Sequence, residues 1–259
     1  DLSLGEAIKL QQELNKKIVL EPPFNSVKEI KTVAGTDVHF SQDELVAYAG
    51  IVIVSFPELK ILEKVKIEKY IQPNKAKTKV NQPFPYIPGL LSFREIPVLL
   101  LAFKKMKTNP DVILCDGQGI AHPRRMGLAT HLGIILNKPT IGCAKSLLYP
   151  APARRSGVYG TYEKMPGSHK GSYSYLRDEK GDLSIEVPTH IGTKVEMIGA
   201  VLRSKEGVRP VFVSPGYKIN LRLAIEIVLR CCTKYRLPEP LRFAHQITQM
   251  NVRDIVILK

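Results

Sequence analysis

Asn109-Pro110-Asp111-Val112-Ile113-Leu114-Cys115-Asp116-Gly117-Gln118-Gly119 is the stretch on which the fold turns. Val112 to Cys115 is short, wholly apolar and rich in β-branched side chains, the pattern of a strand buried on both faces. It ends on a carboxylate, Asp116, and the glycines that follow allow a tight turn. In open α/β sheets, ligands gather beyond the carboxyl ends of such strands. Asp before Gly is also an ordinary turn, so Asp116 counts as a site residue only through its company elsewhere in the chain.

Upstream, Leu4 to Lys17 has apolar Ala7, Ile8, Leu10 and Leu14 at helical spacing and predicts a surface helix. Thr32 to Phe40 is a strand with Val33, Gly35, Asp37 and His39 on one face. Val46 to Phe56 is apolar throughout, and Ile61 to Ile71 alternates with lysines; with Thr32–Phe40 they predict an antiparallel meander. Lys75 to Pro88 is a loop that carries Phe84 and Tyr86 among prolines. Leu91 to Met106 is a helical stretch, and because Pro97 fits only near a first turn, the helix is expected to start close to Glu95. That start argues against Ser92 and Glu95 acting as a capping box.

Downstream, Pro123 is expected to open a helix through Leu136, and Pro139 to Ala144 another short buried strand. Pro150 to Tyr175 is irregular, rich in Gly, Pro, Tyr and basic residues. Leu183–Val187, Val195–Arg203 and Pro210–Ser214 are strand-like. A helix over Leu221–Cys232 has Asn220 as its N-cap, and Pro238 and Pro240 introduce a last helix to about Gln249. There is no repeat and no composition break, so residues 1–259 read as a single domain.

The chain is 44% hydrophobic, lacks Trp and has no apolar run long enough to span a bilayer, which suits a cytoplasmic protein without a membrane partner. Its formal net charge of +14 suits a polyanion, nucleic acid first. Cys115, Cys143, Cys231 and Cys232 lack zinc-site spacing and read as buried free thiols. Gly117-Gln118-Gly119 lacks the third glycine of a dinucleotide loop, so no nucleotide cofactor is expected. Asp37 lies mid-strand among apolar residues and needs either a basic partner or a metal. Should its strand lie beside the Asp116 strand, the two acids face one another as oxygen ligands for a hard cation.

Five blocks then occur in order: Val33-Ala34-Gly35-Thr36-Asp37, Tyr86 to Glu95, Cys115 to Arg124, Gly142-Cys143-Ala144-Lys145-Ser146, and Val213-Ser214-Pro215-Gly216. Together they closely resemble the endonuclease V family from about Val33 to His245. The resemblance implies an α/β, RNase H-like fold: a five-stranded mixed sheet, three antiparallel strands then two parallel ones, flanked by helices. It implies a metal-dependent endonuclease of DNA repair that hydrolyses the second phosphodiester 3′ to deoxyinosine, with inosine-containing RNA as a second substrate. By the same resemblance Asp37, Glu95 and Asp116 are catalytic and hold Mg²⁺, for which Mn²⁺ can substitute. Lys145 is a catalytic cation near the scissile phosphate, and Tyr86 is a wedge beside the deaminated base. Pro88, Gly89, Gly117, Gln118, Gly119 and His122 belong to the nucleic-acid-binding blocks. Arg124 and Arg125, expected in the first turn of a helix, add a phosphate clamp. The protein is expected to act as a monomer.

One departure stands out. Members commonly carry His directly after Ser-Pro-Gly, near the active site, and here that position is Tyr217. A phenol does not replace imidazole as an acid or base near neutral pH. His39, two residues beyond Asp37 on the same face, is either a substitute or a plain hydrogen-bonded neighbour. The competing reading is therefore a weakly active or non-catalytic inosine-binding protein of the same fold. The 150–175 stretch also looks expanded relative to the family pattern.

Overall fold

A computed structural model describes residues 2–71, 84–148, 162, 164–178 and 196–250. The meander forms as expected: β1 (Thr32–Phe40), β2 (Val46–Ser55) and β3 (Ile61–Tyr70) pair antiparallel in chain order. β4 (Val112–Cys115) lies parallel to β1, and β5 (Thr140–Ala144) parallel to β4. The three-plus-two arrangement is thus present, but it is only part of the sheet. β6 (Tyr173–Asp178), β7 (Glu196–Leu202) and β8 (Val211–Tyr217) extend it antiparallel beyond β5. The full order is β3-β2-β1-β4-β5-β8-β7-β6, eight strands rather than five. β5 is buried at every position, and a strand left unpaired at a sheet edge exposes its backbone donors and acceptors, so it needs β8 beside it. The strand expected over Leu183–Val187 and residues 150–161 and 163 of the irregular stretch lie outside the described residues.

Each face of the sheet carries its own core. Val33, Val52, Leu114, Ile141 and Val213 face α4 (Leu221–Cys231) and α5 (Glu239–Gln249). Ala34, Ile51, Ile113 and Cys115 face α2 (Leu91–Phe103) and α3 (Leu128–Leu136). Asn220 does cap α4, its side-chain oxygen accepting from the Leu223 amide at 2.9 Å. α1 (Leu4–Asn15) turns Ala7, Gln11 and Asn15 inward, so two of its three buried residues are amides rather than the expected leucines. The four cysteines are buried and free.

Two helix starts differ from expectation. α2 begins at Leu91, leaving Pro97 inside it, although a proline there typically costs ~3 kcal/mol. Its first turn is held from outside. Ser92 Oγ meets His131 Nδ1 at 3.0 Å, the Phe93 ring packs on Phe84 and His131, and Arg94 donates to the Phe84 carbonyl and to Glu44. Tertiary contacts therefore override the local signal. α3 begins at Leu128 and not at Pro123, because the intervening residues form turns in which Arg125 takes a φ of +56°.

α5 sits unusually low on β1 and β2. A Cβ added at Gly35 would come within 2.1 Å of the Pro240 carbonyl carbon, and one at Gly50 within 2.7 Å of the Ala244 oxygen. Backbone cannot yield at such distances. Gly35→Ala is expected to lower stability by at least ~1–3 kcal/mol, the usual cost of overpacking, measured by urea denaturation. An unchanged midpoint would show that α5 does not rest on β1 in this way.

Candidate active site

The parallel register of β1 and β4 builds the site. Thr36 pairs with Cys115, so the next residue on each strand, Asp37 and Asp116, stand side by side. By alternation Asp37 points to the α5 face, and Asp116 follows directly on the last residue of β4. Glu95 comes from α2 on the other face and meets them in a cleft of about 270 Å³ that Lys145, His39 and His245 also line. The structure therefore brings together the three carboxylates and the lysine.

Three carboxylates in one cleft repel. Burial, then the charges of Asp37 and Asp116, push Glu95 up to about 8, against the opposing pull of Arg94. Burial raises Asp37 as well, and the Thr248 hydrogen bond, His245 and Asp116 modify that rise in turn. Lys145 Nζ holds Asp116 Oδ2 at 2.5 Å. On the other side, Thr248 Oγ1 donates to Asp37 Oδ2 at 2.7 Å, and His245 Nδ1 lies 3.2 Å from the same oxygen. Among the described residues no three His, Cys, Asp or Glu side chains converge as a closed ligand set. The chemistry nonetheless fits a hard cation: an all-oxygen donor set, partly desolvated, with more negative charge than Lys145 offsets.

A second cavity of about 280 Å³ adjoins the cleft and shares Asp116 and Lys145 with it. Gly89, Gly117, Gln118 and His122 contribute to its wall, and Tyr86, three residues before Gly89, stands 70% exposed. Gly89 needs its φ of +83°. Its carbonyl accepts from Gln11 Nε2 at 3.0 Å and from Arg124 Nη2 at 2.9 Å, and lies 2.9 Å from His122 Nε2. The other ring nitrogen of His122 accepts from the Arg124 amide, which assigns the proton to Nε2. Burial pushes His122 down to about 3, so it is a neutral strut. Pro88 precedes Gly89 in the turn, and the Gly119 amide donates to Ser214 Oγ at 2.7 Å. Gln118 donates to the Ser146 carbonyl at 2.9 Å.

Three expectations need correction. Arg124 and Arg125 are not in a helix's first turn, since α3 starts at Leu128. Arg125 is buried against Asp178 at 2.7 Å, and Arg124 is engaged with Gln11 and Gly89, so both brace loops instead of forming a helix-terminal clamp. Tyr217 is not near the acids. It pairs with Thr140 at the opposite end of β5, five residues and so roughly 16 Å from Lys145. Its hydroxyl faces Asn137 at 3.5 Å. The imidazole on Asp37 belongs to His245, which the sequence reading missed. Its signal was Ala244-His245-Gln246-Ile247-Thr248, polar residues three apart on one face of the last amphipathic helix. His39 lines the cleft and stacks on Tyr48, with ring centroids 6.2 Å apart.

Carboxylates aligned by parallel strands, with a lysine and an imidazole around them and a cavity alongside, fit a nuclease. More particularly, the profile of the Endonuclease V family matches residues 12–246, and the chain belongs to that family. An Endonuclease V from Nostoc sp. is 45% identical over 246 residues, covering 95% of this chain and 94% of its own. The crystal structure of Endonuclease V from Streptomyces avermitilis superposes with a TM-score of 0.75 at 33% identity, covering 96% of this chain and 92% of its own. A Ciona intestinalis Endonuclease V, solved with a 23mer DNA containing an inosine followed by a ribo-adenosine, has a TM-score of 0.70 at 29% identity, covering 95% of each chain.

Glu95 makes stability pH-dependent. Its carboxyl moves from an ordinary 4.5 to about 8 on folding, so the folded protein holds this proton more tightly than the unfolded chain. The contribution is full below pH 4.5 and is lost as pH rises through about 8. In chelator, melting temperature is expected to fall over that interval, less steeply in Glu95→Gln. Equal slopes in the two proteins would remove Glu95 as the source.

Proposed function

We propose that this nuclease is a metal-dependent endonuclease acting beside inosine, hydrolysing the second phosphodiester 3′ to deoxyinosine in DNA, with inosine-containing RNA as a second substrate. The observation that carries the reading is the adjacency of the two cavities, which share Asp116 and Lys145. A base drawn out of the stack into one would leave its own strand passing the other. The relative bound to inosine-containing DNA supports the same substrate class.

Asp37, Asp116 and Glu95 would hold the cation, Mg²⁺ or Mn²⁺. When bound it supplies Lewis-acid polarisation and a more acidic water. In the cleavage step a water oxygen bonds to phosphorus, the bond to the leaving oxygen breaks, and that oxygen takes a proton. Lys145 offsets the negative charge that builds on the phosphoryl oxygens. His245, with Nδ1 turned to Asp37 and its side chain lining the cleft, would pass a proton. Tyr86 would fill the gap left by the displaced base, and the braced Gly89 turn keeps the pocket wall in place. The protein would act as a monomer in the cytoplasm, in repair of deaminated adenine. The position of Tyr217, away from the acids, favours an active enzyme over the weakly active reading.

The deciding experiment is nicking of inosine-containing DNA and RNA with Mg²⁺ against EDTA. Cleavage only with the metal, one bond beyond the lesion's own 3′ phosphodiester, is expected; equal cutting of undamaged strands would refute it. Asp116→Asn should abolish cleavage while inosine-DNA binding stays within severalfold, since phosphate contacts dominate affinity. His245→Ala should slow cleavage by ~10²-fold or more, whereas Tyr217→Phe should leave it unchanged. The reverse pattern would return position 217 to the site. Tyr86→Ala should lower discrimination for inosine by a contact worth ~1–3 kcal/mol, and unchanged discrimination in a folded variant would dismiss the wedge.

A further inference from the structure

We infer that Thr248 is a positioning residue for Asp37: its hydroxyl fixes one carboxylate oxygen so that the other is presented to the cation. The inference rests on the metal-dependent reading above. Both α5 contacts fall on a single atom, Asp37 Oδ2, from Thr248 Oγ1 at 2.7 Å and His245 Nδ1 at 3.2 Å. No described side chain bonds Oδ1. A carboxylate held through one oxygen loses its torsional freedom, and its second oxygen is aimed without any cost at the moment of metal binding. Ligating carboxylates elsewhere depend on such outer partners for ~10–100-fold in metal affinity.

Thr248 is well made for this. It is buried, and its Cγ2 methyl lies 2.8 Å from where a Cβ on Gly50 would stand, so the side chain is wedged on the β2 backbone. A β-branched side chain packed in this way keeps one rotamer. The hydroxyl has a single proton and two acceptors within reach, Asp37 Oδ2 and the His245 carbonyl at 2.8 Å in its own helix. The charge-assisted bond to the carboxylate is the stronger. His245 and Thr248 are three apart on α5 and so share a face. The seat at Gly35 and Gly50 brings that face down on Asp37.

Thr248→Val keeps the shape and removes the hydroxyl; Thr248→Ser keeps the hydroxyl and removes the methyl. Mn²⁺ binding is measured by calorimetry on the full chain, without nucleic acid, with folding checked by circular dichroism. Thr248→Val is expected to weaken Mn²⁺ by ~10-fold or more, and Thr248→Ser to recover most of the loss. Wild-type affinity in folded Thr248→Val overturns the inference. Equal losses in the Val and Ser variants also overturn it, because the methyl contact with Gly50 would then be what matters. Should Thr248→Val fail to fold, Thr248→Ala, smaller and fitting the same space, is read in its place. A wild-type chain that binds no Mn²⁺ at millimolar concentration refutes the metal reading itself, and the positioning role with it.

Discussion

The parallel pairing of β1 with β4 is the constraint on which the site depends. One register, Thr36 against Cys115, places two carboxylates next to each other at the end of a short buried strand. A slip of one residue would turn every side chain of β4 to the opposite face and separate the acids. The register is secured by burial: Val112 and Leu114 fill one core, Ile113 and Cys115 the other, and all four are inaccessible to solvent. The apolar strand that looks like plain core is therefore also the part that sets the geometry of the acids. Function and packing are enforced by the same four residues.

Around this pair the chain keeps positive charge without neutralising it. Three half-buried arginines donate to backbone carbonyl groups and to no carboxylate among the bonds described. Arg124 donates to Gly89, Arg236 to Lys145 and Pro210, and Arg203 to Pro166, Gly167 and Val208. A guanidinium bound to carbonyls braces a loop while its full charge remains in the field of the molecule. That is how a chain of net charge +14 can order loops beside its active site and still attract a polyanion. Arg125 shows the contrast. Paired with Asp178, it adds structure and little potential.

Much of this was legible in sequence because the signals were local. The meander, the Asp116 strand, the Asn220 cap and the alternation that puts Asp37 on the α5 face all follow from periodicities of two or of about 3.6. What failed was non-local. The first turn of α2 survives Pro97 through Phe84 in the loop before it and through Glu44 and His131, which are distant in sequence. β6 is an edge strand with Tyr173 and Tyr175 exposed, so it carries only half of a strand's hydrophobic signature. Proximity to a familiar motif misled most at Tyr217: it follows Ser214-Pro215-Gly216 directly, but β8 runs antiparallel to β5 and carries it away from the acids.

His245 was hidden for the same reason, and its position says how the site is assembled. It reaches Asp37 across 208 residues of chain, and only because Gly35 and Gly50 let α5 lie on the strand backbones. A contact of such sequence separation carries a loop-closure cost. The acids of β1 and β4 can be adjacent as soon as the sheet core forms, but Asp37 gains its Thr248 and His245 partners only when the last helix docks. Docking of α5 also buries Asp37, so the bonds from Thr248 and His245 offset a desolvation cost that the helix itself brings. The docking of α5 thus stabilises the sheet through its apolar face and relieves the charge on Asp37 through its polar one. One amphipathic helix joins the stability of the protein to the integrity of its candidate active site.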